Sequence, residues 1–370
     1  MTFISLGVTF GQVMSTVGYI FIAILCLMFM VVVHELGHYL AGRLLKFKIL
    51  EFGIGFGPPI FKRTNKKTGE IFSIRPFPLG GFCMFESEDE SSDSPTAFNN
   101  QEPWKRLIVL FSGAFFNFVS ALIIITMIFT FYGQLLPVVG EIYEEAAIAE
   151  DGALKEGDVI LKVEGKQVNI LMMDDLQIAM RRIDHEGTFT VLRNGKLLDV
   201  HVRKSNVFVR DTEGKIMYDE ENKPLQRYAF GFTSIVAPVK LNFFRAMGRA
   251  FSYGFYVVYK IIWLLGQLLT GGIKFSESAG GPITIISTMS EATRAGFGPL
   301  AYVVGLLSAN LAIMNLLPFP ALDGARMLFV TIEWIRGKPI NKKVEAAIHL
   351  GGIILLFAFA IFADLLQLFT

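Results

Sequence analysis

Residues 34–38 read His34-Glu35-Leu36-Gly37-His38, two imidazoles four positions apart with a carboxylate beside the first. On a helix, residues four apart project from one face, so His34 and His38 can reach a single metal ion. Glu35 then stands roughly 100° round the axis, as a base toward an attacking water. The bland alternative is a chance match with two merely hydrogen-bonded histidines. Location argues against it, because an acidic group at mid-membrane costs roughly 2.5–3.5 kcal/mol and such residues usually carry function. Two histidines leave a zinc site one protein ligand short. The remaining candidates are His185 and His201 in the middle of the chain, His349 near the last apolar run, and Asp323. Asp323 is the strongest, since Pro318 and Pro320 interrupt an apolar run just ahead of it, and broken helices at membrane depth occur where backbone lines a cavity. Alone it would read as a turn aspartate facing water. A set of this kind suits metal-assisted hydrolysis.

The elements that position these groups are apolar. The 370 residues are 52% hydrophobic, with a mean hydropathy of +0.50. Four runs are long enough to cross a bilayer: Val17 to Leu45, Leu107 to Phe131, Leu300 to Leu317 and Val344 to Phe362. The first lacks a basic leading segment and a small-residue cleavage site, and is expected to be a retained span. A net charge of +1 points to no nucleic-acid partner. Cys26 and Cys83 form no disulfide pattern. Lys and Arg residues crowd the loop from Arg43 to Arg106 and the short loop from Arg336 to Lys343, which places both loops in the cytoplasm and both termini outside. Spans one and three then run in the same direction and bring His38 and Asp323 to one face. The long segment between spans two and three is expected to be a folded extracytoplasmic domain.

Phe243 to Thr270 is apolar enough to compete as a fifth span. Its polar residues Arg245, Arg249, Ser252, Tyr256, Lys260 and Gln267 fall on one helical face, which favours a helix lying in the interface plane. In the first loop, glycine-rich 52–58, a Thr-Gly turn and the apolar pieces 71–76 and 78–82 predict a β-hairpin dipping toward the membrane. The acidic tract Glu86 to Asp93 reads as a solvated loop.

With these motifs in order, HELGH at 34–38, GFGP at 55–58, PLGGF at 78–82 and NLLPFPALDG at 315–324, the chain resembles the site-2 protease family, and within it the bacterial RseP-type proteases. The resemblance implies Zn2+ held by His34, His38 and Asp323, with Glu35 as the catalytic base. It implies that Asn315 contacts substrate or stabilises an oxyanion, and that substrate is also met by Pro318 and Pro320 and by Gly80 and Gly81 on a membrane-reentrant hairpin whose edge an unwound substrate joins as a strand. Ala325 departs from the second glycine that many relatives have after LDG, and leaves the ligand in place.

The implied fold is a polytopic α-helical membrane protein of about four transmembrane helices, with the reentrant β-hairpin and one extracytoplasmic PDZ-like α+β domain. The organisation expected is 1–136 for the first two helices and the hairpin, 137–236 for the PDZ-like domain, 237–298 for the interfacial helix region and 299–370 for the last two helices. Short strands after Pro137, the KEGDVI turn at 155–160, a helix from Asp174 to Ile183 and a hairpin turn at Arg193-Asn194-Gly195-Lys196 carry the PDZ likeness. One such domain, rather than two, places the chain in a single-PDZ branch. The implied activity is zinc-dependent intramembrane endopeptidase action in regulated intramembrane proteolysis, in a bacterial cytoplasmic (inner) membrane, with the active site near the cytoplasmic face. Expected partners are single-pass substrates such as anti-sigma factors or signal-peptide remnants, a peptide C-terminus at the PDZ-like domain, and the lipid bilayer. The rival readings are a non-proteolytic PDZ scaffold, which has no use for a buried carboxylate beside two imidazoles, and a cation transporter, which leaves the PDZ-like domain without a role.

Overall fold

The computed structural model describes residues 10–87, 94–148, 154–172, 175–211, 213–273, 280–338 and 340–369. Most of the acidic tract (88–93) and Asp174 lie outside them. The chain divides into two units, one made of the first 125 residues and 257–370, the other of 126–256. Among the described residues, four helices are long and apolar enough to cross a membrane, over Val13–Leu44, Pro103–Phe131, Phe297–Leu316 and Lys342–Gln367. They lie on the four expected runs.

In the first unit, α1 (Phe10–Leu44) carries the HExxH motif, and at 1.5 Å per residue its 35 residues extend roughly 50 Å. Four strands follow: β1 (Ile49–Phe56), β2 (Phe61–Thr64), β3 (Ile71–Ile74) and β4 (Phe77–Phe85). Their order is β2-β3-β1-β4, with β1 antiparallel to β4 and parallel to β3. This corrects the simple hairpin expected from sequence. The Thr68-Gly69 turn does close a hairpin, but between β2 and β3, and that hairpin pairs through β3 with one edge of the longer β1. Glu51 and Arg75 lock β1 to β3 through an ion pair of 2.7 Å. Cys83 lies within β4. β4 is the edge strand, and among the described residues no strand pairs with its outer side.

The helix α2 (Pro103–Phe131) begins in this unit and crosses α1 closely. A side chain at Gly37 would run into the Ser112 carbonyl of α2. Three further helices, α5 (Pro282–Ala295), α6 (Phe297–Leu316) and α7 (Asp323–Arg336), lead to the last, α8 (Lys342–Phe369). The helix α6 ends at Leu316, and the extended backbone of the next residue, Leu317 (φ −66°, ψ 141°), is the conformation required of a residue before proline. Asp364 lies within α8, and its carboxylate accepts the Ile283 and Thr284 amides at 3.0 and 3.1 Å, capping α5.

The second unit is an antiparallel sheet of order β12-β5-β6-β8-β9, with the short β7 (Lys166–Gln167) on β6. Its strands are β5 (Gln134–Ile142), β6 (Val159–Val163), β8 (Glu186–Arg193), β9 (Lys196–Arg203) and β12 (Phe232–Val239). Asn194-Gly195 closes β8 onto β9 as expected, with Arg193 paired to Lys196. The helix α3 (Asp175–Met180) covers a core of Val139, Ile160, Val163, Phe189 and Val191. A two-stranded ribbon joins β10 (Ser205–Phe208) and β11 (Gln226–Ala229).

The helix α4 (Phe243–Thr270) is not among the candidate spans. Its polar stripe, expected to face the interface, points largely inward: Arg249 and Lys260 are buried, while Phe244, Phe251, Phe255 and Ile262 are exposed. The Arg249 guanidinium bonds the Gln134 side chain and the carbonyls of Leu161 (3.2 Å) and Val168 (2.5 Å). Burial pulls its pKa down to about 10, still cationic at neutral pH. Without those carbonyls a buried guanidinium would carry a large desolvation cost, so the strand ends set the orientation of the first half of α4.

Candidate metal centre

The two histidines project from the same face of α1 because they are four residues apart, and both are buried. Their Nε2 atoms stand 3.1 Å from each other. The Oδ2 atom of Asp323 reaches both, at 2.9 Å from His34 and 3.3 Å from His38. A tetrahedral zinc with bonds of about 2.0–2.1 Å has ligands roughly 3.3 Å apart, so the spacing and the donor chemistry both fit that ion. Among the described residues these three form the one cluster with metal-ligand spacing. Asp323 was expected at the end of the third span; it starts α7 instead. After Pro318 the chain makes two tight turns, Ala321 adopts φ 83°, and the Ala321 amide donates to His349 Nδ1 at 3.1 Å. Gly324 has no room for a side chain, because the Leu316 and Leu317 carbonyls press against it.

A cavity of about 350 Å³ opens on this cluster, lined by Glu35, Phe82, Cys83, Met84 and Arg326 among others. Glu35 is oriented from the sheet: the Cys83 amide donates to its Oε2 at 3.0 Å. That amide therefore points away from β1, and the outer edge of β4 faces the carboxylate. Gly81 sits one turn of the pleat away, where an added Cβ would stand 3.8 Å from Glu35 Cγ and 3.4 Å from Val32. Gly80 lies against Val31 and Phe56 with φ +147°, a conformation that favours glycine. Asn315, Pro318 and Pro320 are not among the residues lining the cavity. Pro320 packs against Gly352. His185 and His201, weighed as ligands, instead face Tyr228 and Glu186.

A family model for Peptidase family M50 matches residues 22–359. The chain belongs to peptidase family M50. It is a multi-pass membrane metalloprotease that uses zinc. Relatives are similar over nearly their whole length. A protein of Fusobacterium nucleatum named a zinc metalloprotease is 31% identical over 91% of this chain and 95% of its own. A likewise named protein of Clostridium perfringens is 29% identical over 91% and 95%, and one of Nostoc is 30% identical over 92% and 93%.

Sequence reasoning treated α2 as a plain span and missed what it supplies. Val109, Gly113 and Asn117 lie on one face, four residues apart, and back the metal cluster. The Val109 carbonyl receives His38 Nδ1 at 2.8 Å. A carbonyl only accepts, so Nδ1 carries the proton and Nε2 presents its lone pair to the cluster. Gly113 leaves the space the imidazoles occupy: an added Cβ would stand 2.5 Å from His38 Nε2 and 2.7 Å from His34 Cε1. The available signal was Asn117, a fully buried amide in an apolar span.

The third ligand candidate is held from a distance. Arg106 of α2 pairs with Glu333 of α7 at 3.0 Å, and Val330 of α7 packs into a cluster with Val109 and Leu110. These contacts fix the axis of α7, whose first residue is Asp323.

Proposed function

We propose that the protein is an intramembrane endopeptidase in which His34, His38 and Asp323 hold zinc, Glu35 is the general base, and the substrate is a single-span membrane protein. The observation that carries this reading is the convergence of two imidazole nitrogens and one carboxylate oxygen within 2.9–3.3 Å, beside a second carboxylate in the same cavity. A bound zinc supplies Lewis acidity toward a scissile carbonyl and toward water. Glu35 takes the proton of the attacking water and passes it to the leaving amine, held in place by the Cys83 amide.

A peptide bond inside a helix is shielded by its own hydrogen bonds, so a substrate must unwind before it is cut. The outer edge of β4 offers backbone groups to such a segment, and an added strand would run past Glu35. The glycines at 80 and 81 keep that approach low. Asn315 serves as a substrate or oxyanion contact only once a substrate draws α6 and the Pro318–Pro320 turn toward the cavity. The antiparallel domain of the second unit acts as a PDZ-like module that takes a newly exposed peptide end. In this reading the chain sits in a bacterial inner membrane with the catalytic cavity toward the cytoplasm. It cuts anti-sigma factors or signal-peptide remnants already shortened outside.

The test uses detergent-purified full-length protein and a tagged single-span reporter. Glu35→Gln is expected to keep stoichiometric zinc and lose cleavage, while Asp323→Ala loses both. A Glu35→Gln variant with wild-type turnover, or an Asp323→Ala variant that keeps its zinc, sinks the assignment.

A further inference from the structure

We infer that Asn117 is a positioning residue for the metal centre, fixing the tautomer and ring orientation of His34 through Nδ1. This rests on the reading of His34, His38 and Asp323 as the ligand set.

If His34 offers the Nε2 lone pair to a metal, its Nδ1 carries the proton and needs an acceptor. The His38 ring meets that need with the Val109 carbonyl. Facing His34 Nδ1 is the side-chain amide of Asn117, at 3.4 Å. Asn117 is fully buried, and its Oδ1 has no hydrogen-bond partner while its Nδ2 faces the ring. An amide nitrogen can only donate, so two donors would oppose each other in that arrangement. The two ends of an asparagine amide have the same shape, and the network decides which is which. A half-turn of the amide satisfies both groups: Oδ1 accepts the His34 Nδ1 proton, and the orphaned oxygen gains its partner.

The backbone at Asn117 is anchored for this role. Its carbonyl lies 2.9 Å from both the Ser120 and Ser308 hydroxyls, which stand 2.9 Å from each other; with one proton apiece the two hydroxyls make two of these three bonds at a time. The contact ties α2 to α6 at the level of the metal cluster. Val109, Gly113 and Asn117 thus form one stripe of α2, in which a carbonyl orients one imidazole, a missing side chain makes room for both, and an amide orients the other.

The experiment measures zinc affinity of the full chain in detergent by competition with a chelator, and the visible spectrum after Co2+ substitution. The variants are Asn117→Leu, Asn117→Asp and Asp323→Ala. Asn117→Leu keeps the volume and removes the acceptor, and should weaken zinc binding by about 10–100-fold and alter the Co2+ bands. Asn117→Asp keeps an acceptor and should bind zinc at least about tenfold more tightly than the leucine variant. Wild-type affinity in Asn117→Leu overturns the inference. So does an aspartate variant as weak as the leucine one, since that pattern means only packing was lost. Unchanged affinity in Asp323→Ala overturns the ligand set itself, a failure separable from that of Asn117.

Discussion

His34 Nε2 and Asp323 Oδ2 stand 2.9 Å apart although 289 positions separate them in the chain. One comes from the last third of a long apolar helix, the other from the first turn of a helix that starts after a proline-broken span. What brings them together is α2, which packs against α1 through glycine and against α7 through an ion pair.

Gly113→Ala sets two effects against each other. Alanine favours a helix by about 0.5–1 kcal/mol over glycine, but the methyl would lie 2.5 Å from His38 Nε2. Overpacking at a site that cannot yield costs about 1–3 kcal/mol, so the site gives way. The expected result is an intact helical spectrum with zinc content and cleavage each reduced at least about tenfold. Full zinc content by mass spectrometry would refute the close packing.

The Glu35 contact is made by a backbone amide, so it should be sensitive to proline and indifferent to the thiol. Cys83→Ala is expected to cleave within about threefold of wild type. Cys83→Pro removes a hydrogen bond to a charged group, worth about 1.5–3 kcal/mol, and should lower turnover by about tenfold or more with zinc unchanged. The ladder to β1 is spared because the lost amide points away from it.

The Arg106–Glu333 pair joins a buried guanidinium to a largely buried carboxylate. Arg106→Leu strands that carboxylate and should destabilise the fold by about 3 kcal/mol or more, while Arg106→Leu with Glu333→Leu recovers most of it. Thermal melts of the two variants decide the point. Equal losses in both would mean that packing, rather than charge, governs the contact.

Glu145 in the second unit gives a pH signature. Burial pushes its carboxyl up, but backbone amides including that of Phe208, and the Arg210 guanidinium at 2.9 Å, outweigh this and hold it below the usual range. A depressed pKa contributes stability that is present above the unfolded value of about 4.3 and is lost as pH falls through the folded value. Amide-exchange protection at Phe208 should therefore decline below about pH 4.3 in the wild type. In Glu145→Gln it should already be low at neutral pH and vary little with acid. A wild-type profile in that variant would exclude Glu145 as its origin.

Much of the site could be read before folding. That His34 and His38 share a face follows from their spacing alone, because i to i+4 geometry is local to any helix. The four apolar runs announce themselves in the same way, since hydrocarbon thickness sets a length that composition reveals. Asp323 was weighed against His185, His201 and His349, and was favoured by the prolines that break the span ahead of it and by the shared direction of spans one and three, with the resemblance of NLLPFPALDG added to these.

The remainder depended on which surfaces meet. The polar residues of Phe243–Thr270 share a face, as their period requires, but periodicity does not say whether that face meets water or protein. The Leu161 and Val168 carbonyls draw Arg249 inward. The first loop forms a four-stranded sheet because β1 has two edges, and its partner on the second is chosen by long-range packing. Val109, Gly113 and Asn117 look like any stripe of a spanning helix until α1 lies against them. Local spacing determines which side chains share a face; only the crossing of helices decides that a carbonyl, an absent side chain and an amide will stand behind the metal ligands.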